Sequence, residues 1–110
     1  MRMWMVNPEL MCRKHLLGEH VELHMFVGSI NKGINIAGYI RTNLCEPNSI
    51  ISRHEDLVAE MLSRGYKHQS PLPEFIYDDD TMVDVESAYK DLLNRCENCR
   101  KKTSRRRLDI

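Results

Sequence analysis

The sequence predicts an all-α protein: a compact three-helix domain with two long loops and an N-terminal segment packed against the helices. Three observations carry this. Apolar residues recur at helical spacing in three stretches, capping and stop residues bracket each stretch, and no alternation long enough for a strand interrupts them. A chain of 110 residues can enclose one hydrophobic core and not two, so residues 1–110 form a single domain, with a basic C-terminal tail from about residue 100 that is either a binding segment or a disordered, solubilising end.

In the first stretch Asn7 suits the N-cap and Pro8 the opening helical position, and the run continues to about Ile30, where Asn31-Lys32-Gly33 stops it. The second begins at Asn48 or Ser49 and ends at Arg64. Its apolar face is Ile50, Ile51, Leu57, Val58, Met61 and Leu62, with His54 on the same side and Gly65 as the C-terminal stop. In the third, Asp84 caps a stripe of Val85, Ala88, Tyr89, Leu92, Leu93, Cys96 and Cys99. The connections at residues 31–47 and 66–82 are long for so small a chain, which fits either a wrapping for the core or a functional role.

Sixteen basic and sixteen acidic side chains balance, which argues against an indiscriminately cationic nucleic-acid binder. The balance is not local. Residues 73–92 carry one basic and seven acidic groups, and residues 93–110 carry seven and two. A cationic face around the N-terminus and the tail, with the acidic segment turned away, is the expected arrangement. No run approaches a membrane span and no export signal is evident, so a cytoplasmic monomer with reduced cysteines is expected.

One sector of the first helix is polar. His15, Glu19 and Glu22 fall within about 60° of one another, because i, i+4 and i+7 share a face. Solvent exposure would account for it, and so would two chemistries. Glu19 and Glu22 with Asp56 and Glu60 would hold Mg²⁺, as in all-helical nucleotide pyrophosphohydrolases. Alternatively, one carboxylate would move protons beside a separate nucleophile.

Met1-Arg2, His15-Leu16, Glu19, Glu22-Leu23 and Gly28, read without a gap, resemble the N-terminal half of the phage endonuclease V family of pyrimidine-dimer DNA glycosylases. The stretch from Arg53 to Tyr66 is similar to that family's middle helix with its Arg-Gly-aromatic ending, and Pro73-Glu74-Phe75 to the loop beyond. The resemblance implies a three-helix fold and a bifunctional enzyme acting on double-stranded DNA that contains damaged pyrimidines or abasic sites. It implies that an N-terminal α-amine, here that of Met1, attacks C1′ to form a Schiff base, while Glu22 stabilises the cationic sugar and carries protons through β-elimination. An α-amine titrates near about 8, well below a lysine, so an appreciable share is nucleophilic at neutral pH. Arg2 is too large for removal of the initiator methionine, so Met1 is expected to be retained.

The resemblance further gives Arg2 and His15 contacts to sugar or phosphate, makes Glu19, on the same face, a candidate substrate-binding residue, and allows Arg64 a binding role beside its helix-terminal one. The family's arginines flanking the catalytic glutamate are replaced here by Val21 and Met25, and its aromatic tail by a basic one, so the lyase chemistry is better supported than the lesion. Cyclobutane pyrimidine dimers are the default substrate.

No metal or other cofactor is expected. Cys96-x-x-Cys99 is half of a zinc signature, completed only by distant Cys12, Cys45 or histidines, and structural cysteines are the favoured account. His20-x-x-x-His24 lacks the glutamate that follows the first histidine of a zincin, and Asp78 to Asp80 lack the ligand spacing of an EF-hand. Two rivals remain: the Mg²⁺-dependent hydrolase and a non-enzymatic DNA-binding protein acting through its tail.

Overall fold

The computed structural model describes residues 1–68 and 70–108, with side chains described through residue 104. Helices α1 (Arg13–Asn31), α2 (Ala37–Arg41), α3 (Ile50–Ser63), α4 (Val85–Arg95) and α5 (Glu97–Leu108) follow one another, with 3₁₀ turns at Pro8–Leu10 and Pro47–Ser49. No strand occurs among the described residues, and none of the described helices is long and apolar enough to cross a membrane. The expected all-α class is the observed one. Among the described residues five helices replace three, because a short helix forms in the first loop and the third stretch divides.

The first and third stretches break where a cysteine adopts extended backbone. Asn7 caps only the 3₁₀ turn, its side chain accepting from Glu9 N–H, and Cys12 (ψ 165°) then resets the chain before α1. Cys96 (φ −128°, ψ 108°) ends α4 and precedes α5. The basic segment from residue 100, for which a disordered end was one alternative, lies in α5 through Leu108, and residues 109–110 fall outside the described residues.

α1, α2 and α3 end alike. Gly33, Asn43 and Gly65 each take positive φ, at 74°, 57° and 83°, just past the helix. In each case that residue's N–H and the next one reach back to the last turn, as in Gly65 N–H to Leu62 O and Tyr66 N–H to Met61 O, both 2.9 Å. This paired closure satisfies carbonyls that a helix end would otherwise leave bare.

The core is built on α1 and α3. Leu16, Leu23, Phe26 and Val27 of α1 pack with Ile50, Leu57 and Met61 of α3, and Ala88 and Leu92 of α4 close one side. The N-terminal segment is threaded into this core: Met3, Trp4 and Val6 are buried, and Met3 N–H donates to Leu44 O at 2.7 Å. The long second connection is pinned to the body. Asn48 donates to Asp78 and Asp80 and accepts from Asp79 N–H, Val83 N–H donates to the buried Glu46, and Asn31 holds Glu74 O.

Candidate active site

Burying Met3 and Trp4 fixes where residues 1 and 2 emerge, over the face of α1 that carries Glu22. Partial burial pushes the Glu22 carboxyl above its ordinary range; the Arg2 backbone N–H, which hydrogen-bonds it, and the positive charge of the Met1 amine pull the other way. The nucleophile and carboxylate expected from the sequence therefore lie in one electrostatic neighbourhood. Arg2 flanks them. Its guanidinium lies 3.8 Å over the Trp4 ring and 2.8 Å from Asp91 of α4, while Arg95 holds the same Asp91 oxygen at 2.8 Å. The acidic segment is thus not turned away from the N-terminus as a whole, because α4 brings Asp91 directly onto Arg2.

Glu19 faces inward. Its two oxygens accept from Arg53 Nε at 2.6 Å and a terminal nitrogen at 3.0 Å, with both side chains almost wholly buried. It joins α1 to α3. Arg64 is similarly engaged, donating to Glu60 at 2.7 Å and to the carbonyls of Pro8 and Met11 at 3.0 and 2.7 Å. It also borders an open cleft of about 860 Å³ where Arg13, Lys14, Lys101 and Lys102 converge beside Tyr66.

His15 stands among sulfurs. Its Nδ1 is 3.2 Å from Cys12 Sγ and 3.8 Å from Cys99 Sγ, and Cys12 Sγ is 3.7 Å from Cys96 Sγ. The His15 ring meets Trp4 edge to face, with centroids 5.7 Å apart. A second group gathers His20 and His24 of α1, His54 of α3 and His68 of the following loop. Nε2 of His20 lies 3.1 Å from Nε2 of His54 and 3.0 Å from Nε2 of His68. Burial, then the neighbouring imidazoles, push His20 down to about 4.

Among the described residues these two groups are the ones whose ligand atoms come close enough to share an ion, and neither contains Glu19, Glu22, Asp56 or Glu60. The carboxylate site of the Mg²⁺-dependent alternative is not assembled, since Glu19 is committed to Arg53 and Glu60 to Arg64. The sequence argument named Cys12 and histidines as possible partners of Cys96-x-x-Cys99 without joining them, and it treated His20-x-x-x-His24 as a failed motif, missing His54 and His68. The missed signal was Cys12-x-x-His15, a second pair at ligand spacing over 80 residues upstream of the first.

Residues 1–74 match the family model described as pyrimidine dimer DNA glycosylase. The match spans Met1, Arg2, His15, Glu19, Glu22 and Arg64, and stops before α4 and α5. No curated protein and no solved structure matches the chain.

Proposed function

We propose that this chain, which belongs to the pyrimidine dimer DNA glycosylase family, excises a damaged pyrimidine from double-stranded DNA and then cuts the backbone at the abasic site. The unprotonated α-amine of Met1 attacks C1′, and the glycosidic bond breaks with its electrons leaving on the base, which takes up a proton. Opening of the sugar ring leaves an iminium between the Met1 nitrogen and C1′. Loss of a C2′ proton then expels the 3′ phosphate, and water releases the enzyme. Cyclobutane pyrimidine dimers are the substrate this reading adopts, since flipping out a base costs least where stacking is already damaged.

The observation that carries the reading is that the Arg2 backbone N–H hydrogen-bonds Glu22, which brings the N-terminus and the charge of its amine up to that carboxyl. A carboxyl whose hold on a proton is strengthened by burial is suited to take up and return protons, and its ionised form offsets the positive charge that grows on the sugar. Arg2 is the further residue suited to meet a phosphate, its guanidinium preoriented on Trp4. Glu19 supports the site from inside by locking α1 to α3. The cationic cleft beside Arg64 supplies backbone contacts whose strength falls steeply with salt.

Strand cleavage of a duplex holding one cyclobutane dimer tests this. Wild-type protein should cut at the lesion in Mg²⁺-free buffer. Glu22→Gln should cut about 100-fold more slowly or worse, with an unchanged circular dichroism spectrum and melting temperature. Undiminished cutting by Glu22→Gln would remove Glu22 from the mechanism, and no cutting by wild type on any damaged or abasic duplex would remove the proposed function.

A further inference from the structure

We propose that Cys12, His15, Cys96 and Cys99 bind a structural zinc ion that anchors α5 to the start of α1. This does not rest on the proposed function. A tetrahedral zinc with ordinary Zn–S and Zn–N bonds sets its ligand atoms about 3.8 Å apart for two sulfurs and about 3.6 Å for sulfur and nitrogen. The observed separations are 3.7 Å for the sulfurs of Cys12 and Cys96, and 3.2 and 3.8 Å from His15 Nδ1 to Cys12 and Cys99. All four atoms lie within 4.8 Å of one another.

Two further observations point the same way. The backbone N–H groups of Cys12 and Cys99 aim at sulfurs, the first at Cys99 Sγ (3.3 Å) and the second at Cys96 Sγ (3.4 Å). Amides directed at sulfur stabilise metal-bound thiolate, whereas a neutral thiol is a weak acceptor. The second observation is the character of α5: through residue 104 its buried side chains are Cys99 and Thr103. A helix so polar gains little from apolar burial, and a four-ligand ion whose binding energy adds to folding supplies what packing does not. Four protein ligands leave no open position, so the ion is structural. His15 touches Trp4, on whose face Arg2 rests, so the ion also braces the N-terminal segment.

A different observation carries a second site. His20, His24, His54 and His68 bring four imidazoles within 4.8 Å of one another, with nitrogens 3.0 and 3.1 Å apart where tetrahedral Zn–N bonds require about 3.3 Å. Nε2 of His24 is buried and makes no hydrogen bond within the described structure. The geometry points to a divalent d-block ion here, joining α1, α3 and the loop after α3.

Metal analysis of the untagged full chain, produced in zinc-supplemented medium and desalted under reductant, reads both. Wild type should carry two zinc ions per chain, and Cys96→Ser/Cys99→Ser and His54→Gln/His68→Gln one each. Refilled with cobalt(II), the histidine variant should keep a thiolate-to-cobalt charge-transfer band and the cysteine variant should lose it. Should a variant not fold, wild type still decides. Chelator should lower its melting temperature and open Cys12, Cys96 and Cys99 to iodoacetamide, and added zinc should reverse both. Unchanged metal content in the cysteine variant, or chelator without effect on those thiols, overturns the first site. Unchanged content in the histidine variant, or a wild type holding one ion with cobalt bound to thiolate alone, overturns the second.

Discussion

Glu19 and Glu22 stand three residues apart on α1 and meet opposite surroundings. Glu22 shares its neighbourhood with a terminal amine and a backbone N–H, while Glu19 is sealed against Arg53. A buried pair of this kind is expensive to break because the surviving charge keeps its desolvation cost without its partner. Glu19→Gln should therefore cost about 3–5 kcal/mol, read as a fall in the urea midpoint, whereas Glu19→Leu/Arg53→Met should recover most of that loss. A single variant as stable as wild type would show that the pair contributes nothing. Their spacing sets His15, Glu19 and Glu22 on one face of α1, yet each meets a different partner. Spacing alone could not say which of the three faced a partner helix, because Arg53, Cys96 and Cys99, which help decide the matter, lie far along the chain.

At the scale of elements, the helix ends divide by how local their causes are. The stops at Gly33 and Gly65 were legible because glycine is the residue that takes positive φ at no steric cost. The equivalent stop at Asn43 was missed together with the short helix it ends. The breaks at Cys12 and Cys96 carry no glycine or proline, and each sets its sulfur 3.7 Å from the other's, a long-range meeting that helical periodicity does not encode. Two glycines give opposite predictions. A Cβ at either Gly18 or Gly65 would meet nothing within 4 Å, so backbone preference alone decides. Gly18→Ala, in mid-helix, should stabilise by about 0.5–1 kcal/mol; Gly65→Ala, at φ 83°, should destabilise by about 1 kcal/mol. Thermal melts of the two variants check the signs, and shifts in the same direction would contradict this account of the helix ends.

Across the whole molecule, zero net charge conceals an organised distribution. Arg13, Lys14, Arg64, Lys101 and Lys102, far apart in sequence, converge on one cleft, while α4 lays Asp91 against Arg2 and Arg95. Segment charges foretold a basic end and an acidic middle, yet not that the acidic helix would hold a cation beside the N-terminus, since that pairing depends on how α4 docks. The small size is compatible with the proposed chemistry, which asks for one amine, placed by the buried Met3 and Trp4, and one carboxyl on α1. The most direct measurement is borohydride trapping: wild-type protein is mixed with an abasic-site duplex, reduced, digested and mapped by mass spectrometry. A stable adduct on the α-amine of Met1, absent when that amine is acetylated, is the predicted result. No adduct, or one on a lysine that survives acetylation of the terminus, would contradict the central claim.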